Sequence, residues 1–443
     1  MKNRKFKTIL ATAGVALTLG LSAVFGGCNL VSARDGVDGK DLNIYDIYAA
    51  AKVESGNPDM TFTEFLREYL SYNPDQIENA VTLQSSINNA LLSSVSIQAQ
   101  FKEYEYYMET DAAYSGSGVI IDIDRAKGDM TVVTNCHVVY SAKAKINNEG
   151  YSKDIYLWLY GSESNYETTY KNSAISAKLI AASKKYDVAV LKVTGSDIVK
   201  KSHAQAANWS TAEEVYLGET VYAIGNANSQ TMSANVGYIS KDYEAIKVEL
   251  GDSSPYEYNV LRTSAAINSG NSGGGLFNLG CEIVGLVNAK SKSEATGVGY
   301  ALTAASTKRV VKSMLDNYDK THTEAHYVGR FKHGIVVEVS DMYSTGLNDK
   351  GFAEIYEQVK VTRTDFKTPF YGKINSGDII KHIKITRDGK AVEDIDINRE
   401  HNFYDVMLSV REGDTVEITV IHDGSETTQS LTVGAGKDYF ENV

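Results

Sequence analysis

Ala265-Ala266-Ile267-Asn268-Ser269-Gly270-Asn271-Ser272-Gly273-Gly274-Gly275-Leu276-Phe277-Asn278 sets one hydroxyl among residues that let a backbone turn sharply. Glycine tolerates positive φ and leaves room for another chain to approach. A serine on such a turn can offer its Oγ as a nucleophile, with the Gly270 and Ser272 N–H groups directed at a developing oxyanion. That chemistry needs a base to take the serine proton and a carboxylate to orient the base. The stretch also satisfies Gly-x-Ser-x-Gly, the nucleophile elbow of an α/β sheet, so its surroundings decide the fold.

Both missing groups lie upstream. Thr134-Asn135-Cys136-His137-Val138-Val139 places an imidazole at the end of a hydrophobic strand. Tyr186-Asp187-Val188-Ala189-Val190-Leu191-Lys192-Val193 places a carboxylate at the start of another. From about residue 95 short apolar or alternating runs follow one another, among them 118–123, 155–160, 177–182, 221–224, 236–239, 260–263, 283–287 and 299–302. Gly, Asn, Ser and Asp clusters separate them, the pattern of an all-β barrel or sandwich. The order His137, Asp187, Ser272 with no helices between strands rejects the α/β elbow, which runs serine, acid, histidine. Thr307 to Tyr318, with Val310, Val311, Met314 and Leu315 on one side, closes the series as an amphipathic helix.

A second β-rich block begins after His322. Gly334 to Val339 reads as a strand, Ser376-Gly377-Asp378-Ile379-Ile380 as a turn into a strand, Asn402 to Val410 as a short helix, and Glu412 to Val420 as a turn and final strand. Strands with one or two helices in about 110 residues suit a compact α+β module.

The chain has 443 residues, 43% hydrophobic and 23% charged, enough for two or three domains with proper cores. A formal charge of −12 argues against nucleic acid or an anionic membrane surface as a general partner. Lys2, Arg4, Lys5 and Lys7 precede an uncharged, largely apolar run from Thr8 to Phe25, the layout of an export signal. Val24-Phe25-Gly26-Gly27-Cys28 resembles a lipobox, making Cys28 the expected site of lipidation; an uncleaved membrane anchor is the alternative. Either way the body is expected at the extracytoplasmic face of the cell membrane. Beyond Cys28 only Cys136 and Cys281 remain, which is no disulfide framework and no metal site, and nothing indicates an organic cofactor. Residues from 29 to about 45 read as a tether, Tyr45 to Leu70 and Gln76 to Leu92 as helical segments.

Taken together these motifs resemble the HtrA (Deg) family of trypsin-like serine proteases, a protease barrel followed by a PDZ domain. Ser115-Gly116-Ser117-Gly118-Val119-Ile120-Ile121, Thr134 to Val139, Asp187 to Val193, Ala265 to Asn278 and Gly297-Val298-Gly299-Tyr300-Ala301-Leu302 carry the resemblance in order. It departs at Ser269 and Gly275, where the family has prolines, and after Ala223-Ile224-Gly225-Asn226, which lacks the following Pro-Leu-Gly. Both lost prolines relax the serine loop.

The resemblance implies a mainly β chain: signal peptide 1–28, tether and small helical segment 29–84, a chymotrypsin-like double-barrel protease domain 85–320, and an α+β PDZ-like domain 325–440. It implies His137, Asp187 and Ser272 as catalytic, Gly270 and Ser272 as oxyanion donors, and Ile267, Leu286, Val287 and Asn288 at the substrate pocket. With no acid at those positions, cleavage after small or medium aliphatic residues is expected. His333, Gly334 and Ile335 would bind a C-terminal peptide by strand addition beside the helix from Tyr404; a β-module without a ligand is the alternative. The implied partners are unfolded or exported proteins, and family trimers suggest a homotrimer. A chaperone or peptide-binding scaffold, and a signalling protease with one membrane substrate, are the competing functions.

Overall fold

In the computed structural model, Lys52 and residues 75–443 are described, except 106–107, 145–148, 163–172, 212–214, 228–230, 251–254, 291–297 and 349–350. The export signal, the tether and, apart from Lys52, the segment from Tyr45 to Leu70 therefore lie outside the described residues. The chain divides into two units, Met1–Gln84 and Ser85–Val443. Helix α1 (Asp75–Leu92) leads into the second unit, starting and ending within a residue of the expected span.

Six strands close into a first barrel: β1 (Ser94–Glu105), β2 (Met108–Asp124), β3 (Asp129–Thr134), β4 (Asp154–Leu159), β5 (Ile175–Ser183) and β6 (Val188–Val193), ordered β1-β2-β3-β6-β5-β4 with β4 back on β1. The period of two is plain on β1, where Val95, Ile97, Ala99 and Phe101 enter the core, and on β5, where Ile175, Ala177 and Leu179 do. Closure removes the sheet edges that an open sheet would leave unpaired. The short helices α2 (Cys136–Val139) and α3 (Asp197–Lys201) follow β3 and β6.

The second barrel comprises β8 (Thr220–Gly225), β9 (Ser233–Glu249), β10 (Pro255–Thr263), β11 (Gly275–Asn278), β12 (Glu282–Lys290) and β13 (Gly299–Thr303), with the two-residue β7 (Asn208–Trp209) parallel to β12. Pairing of β11 with both β8 and β12 closes it. Val221, Ala223, Leu261, Leu276 and Val287 fill its centre. Helix α4 (Ala304–Thr321) starts where the Thr303 hydroxyl accepts the Ser306 N–H and stops at His322, which is left-handed at φ 53°. It runs a turn or so beyond the apolar stripe, because that stripe records only the buried face.

The C-terminal block is a sheet ordered β15-β16-β17-β19-β20, from β15 (Ile335–Leu347), β16 (Ala353–Thr364), β17 (Ile379–Arg387), β19 (Thr415–His422) and β20 (Ser425–Thr432), with β18 (Lys390–Asp396) also on β17. Helix α5 (Glu400–Met407) covers the sheet with Phe403, Val406 and Met407. A two-stranded clasp, β14 (Gly329–Phe331) on β21 (Phe440–Asn442), joins the start and end of the block. Three expectations change here. The strand after Glu412 is not the last, since β20 and β21 follow it. The helix begins at Glu400 and ends at Met407, earlier than the expected Val410. The strand from Gly334 runs on to Leu347 as one arm of a long hairpin with β16.

Candidate active site

His137 sits on α2, just past the end of β3, and Asp187 just before β6, the strand that pairs with β3. That pairing brings the two together. Asp187 Oδ1 accepts the His137 backbone N–H at 2.9 Å, and Oδ2 faces His137 Nδ1 at 2.7 Å. The Asn135 side-chain amide donates to the Asp187 carbonyl at 2.9 Å. The aspartate is buried and its backbone is left-handed at φ 49°, a conformation rare for a residue with a Cβ. Burial pulls the His137 pKa down, but the charge and hydrogen bond of Asp187 outweigh it, so the pKa is raised above the ordinary 6.5.

Ser272 comes from the other barrel, on the loop between β10 and β11. The seam is stitched by the Ser117 N–H donating to the Ser272 carbonyl at 2.8 Å and the Ser117 hydroxyl donating to the Gly270 carbonyl at 2.7 Å. Gly270 and Gly273 are left-handed at φ 95° and 82°. A Cβ on Gly273 would lie 2.2 Å from Thr134 Oγ1 and 2.3 Å from the Ser117 carbonyl oxygen, so only glycine fits. The Asn271 carbonyl accepts from Gly274 N–H at 2.9 Å, which turns the Ser272 N–H of the same peptide unit the opposite way. Among the described residues neither the Ser272 nor the Gly270 N–H has an acceptor, leaving both expected oxyanion donors free.

Asn288 links nucleophile and carboxylate in a way the sequence did not suggest. Its carbonyl accepts the Ser272 hydroxyl at 2.8 Å, and its side-chain amide donates to Asp187 Oδ2. At rest the Ser272 Oγ is thus held by Asn288, and among the described residues no hydrogen bond joins it to His137.

The expected substrate pocket is not open. Ile267 is 5% exposed, Leu286 and Val287 are 0%, and Asn288 is 2%. Ile267 and Val287 belong to the second barrel's core, and Asn288 is turned to Asp187. Leu286, Val287 and Asn288 alternate along β12, and alternation alone does not say which face a substrate would meet. Cys136 and Cys281 are not joined by a disulfide.

The three expected peptide-binding residues of the C-terminal block line a cavity of about 710 Å³ between that block and the barrels. His333, Gly334 and Ile335 meet Tyr404 and Met407 of α5 on one wall, with Lys185, Tyr186 and Val188 beside Asp187 on the other. Burial pushes the Tyr186 hydroxyl up to about 12, while Arg330, itself paired with Glu441, pulls against that shift.

Comparison with known proteins bears on these groups directly. The model of the trypsin-like peptidase domain matches residues 116–286, which include His137, Asp187 and Ser272. The serine protease Do-like HtrA of Bacillus subtilis (strain 168) is 26% identical over 373 residues, 80% of this chain and 69% of the relative. Its HtrB counterpart in the same organism is 30% identical over 321 residues, 72% of this chain and 61% of that protein. The chain carries a trypsin-like serine peptidase domain and is similar to HtrA-type proteases. It is a serine endopeptidase with a double-barrel protease fold, and proteins or peptides are its substrates. A solved HtrA-type protease, AlgW with a tripeptide, aligns at 21% identity and a TM-score of 0.47, covering 80% of this chain and 96% of that one. Among the described residues no helix is long and apolar enough to cross a membrane, and no cluster of metal-binding side chains occurs.

Proposed function

We propose that this endopeptidase cleaves misfolded or exported proteins at the outer face of the cell membrane, with His137, Asp187 and Ser272 as its triad. The observation that carries the triad is the doubly anchored His137: its backbone N–H and its Nδ1 meet the two oxygens of one buried carboxylate. The ring is thereby fixed with Nε2 free to act as the base. The Ser272 hydroxyl leaves the Asn288 carbonyl by rotating about its Cα–Cβ bond and gives its proton to Nε2 as Oγ attacks the scissile carbonyl. Gly270 and Ser272 N–H groups receive the oxyanion. His137 then protonates the leaving amine, and water reverses the sequence on the acyl-enzyme. Losing one oxyanion donor typically costs about 3 kcal/mol of barrier.

Cys28 as a lipid anchor supports the membrane-face location, and the apolar Ile267, Leu286 and Val287 support cleavage after small or medium aliphatic residues once the loop opens. The C-terminal block acts as a PDZ-like module: β15 is an edge strand beside a helix, the arrangement that strand addition uses. Casein cleavage by the purified protein and by Ser272→Ala tests the chemistry. Cleavage that persists in Ser272→Ala, or fluorophosphonate labelling that does, would remove Ser272 from the role.

A further inference from the structure

The outer edge of β15 is where a bound polypeptide would pair, and its first outward donor is already engaged. The Gly334 carbonyl accepts the Asp365 N–H at 2.8 Å on the β16 side. A trans peptide points its N–H opposite to its C=O, so the Ile335 N–H projects from the free edge into the cavity. There it donates to His333 Nδ1 at 3.0 Å. The Thr362 hydroxyl likewise donates to the Val336 carbonyl at 3.0 Å, so the Val337 N–H also faces outward, and it is directed at the Tyr404 hydroxyl of α5.

The His333 ring is held by its neighbours as well as by this bond. It stands edge-on to Phe403 with centroids 5.2 Å apart and lies 6.3 Å from Phe331. Burial and the nearby Arg330 lower its pKa to about 4, so at neutral pH the ring is uncharged and Nδ1 presents a lone pair. A free carboxylate entering here would meet that lone pair in place of the Ile335 N–H. The lining carries Glu257, Glu400 and Asp405 against Lys185 and Lys332, with Arg330 engaged by Glu441 and Asp365 by Arg363, so it offers an entering anion no net positive charge.

We propose that His333 closes the carboxylate end of this groove, so that the groove selects internal extended segments of unfolded polypeptide over free C-termini. This rests on the reading of the C-terminal block as a peptide-binding module. The Tyr404 hydroxyl stands on a helix surface and leaves the Val337 N–H to an incoming backbone carbonyl, whereas His333 is bonded to the Ile335 N–H and wedged among aromatic rings.

The test uses the full chain carrying Ser272→Ala and fluorescent decapeptides drawn from casein. Each is made as the free acid, as the C-terminal amide, and with a Gly-Ser extension, and binding is read by anisotropy. The three forms should bind within about twofold of one another, and Tyr404→Phe should leave that equality unchanged. His333→Leu keeps the bulk but removes the acceptor; it should favour the free acid by about tenfold or more, the worth of a recovered charge-assisted hydrogen bond. His333→Ala, should the leucine disturb folding, carries the same expectation. A tenfold preference of the parent protein for free acids, or unchanged equality in both His333 variants, would overturn the inference. Failure of every peptide to bind any variant would instead overturn the peptide-groove reading itself, and the inference with it.

Discussion

At the scale of single residues, Asp187 organises the site. It receives two hydrogen bonds from His137 and one from the Asn288 amide. Only the neutral imidazole can accept the Ser272 proton. Because Asp187 raises the His137 pKa, kcat/KM should climb with pH through an apparent value above 6.5 and vanish below it. Asp187→Asn removes both raising interactions while burial remains, so the limb should move to lower pH and kcat should fall about 10⁴-fold. A pH profile of casein-peptide hydrolysis on both proteins decides it; an unmoved limb would detach His137 from the titration. Asn288→Ala keeps the carbonyl that holds Ser272 but deletes the amide on Asp187. A hydrogen bond to a charged group is worth about 1.5–3 kcal/mol, so kcat should drop by roughly 10- to 100-fold with KM nearly unchanged. The triad was legible because each member sits in its own local motif. Asn288 was not, because its role depends on a side-chain direction that β12 alternation leaves open.

At the scale of elements, the serine loop holds a tightly packed turn despite its missing prolines. Gly273 is left-handed and pressed against Thr134 and the Ser117 carbonyl, across the seam between the barrels. Gly273→Ala adds strain of about 1–3 kcal/mol for the left-handed backbone, before any clash is counted. Thermal unfolding should begin several degrees lower, and fluorophosphonate labelling of Ser272 should slow by more than about tenfold. Normal labelling at an unchanged midpoint would mean that the loop yields easily. The barrel strands were readable because one face of each is buried, as Val95, Ile97, Ala99 and Phe101 show on β1. The outer half of the β15–β16 hairpin was not. From Glu338 to Leu347 β15 is exposed on both faces, so no period of two marks it, and only its pairing with β16 holds it extended.

At the scale of the whole second unit, the barrels and the C-terminal block are held together by buried ion pairs between distant parts of the chain. Arg399 meets Asp242 of β9 at 2.7 Å and Glu357 of β16 at 3.2 Å. Arg309 of α4 makes a two-pronged contact with Glu393 of β18, at 2.8 and 2.9 Å, with the arginine side chain only 4% exposed. Residues 84 and 157 positions apart leave no local signature, so each block could be read from sequence but their docking could not. Removing one partner of a buried pair strands the other charge, typically at about 3–5 kcal/mol, whereas replacing both with apolar groups is close to neutral. Arg309→Leu leaves Glu393 with a hydrogen bond from the Ser409 hydroxyl in place of the guanidinium. Calorimetry of the single variant should show the C-terminal block melting ahead of the barrels, as a second, earlier transition. Arg309→Leu with Glu393→Leu should restore most of the lost stability. If the single variant unfolds like the parent protein, the ion pair does not fasten the block, and the groove beside Asp187 is held by the surrounding apolar contacts instead.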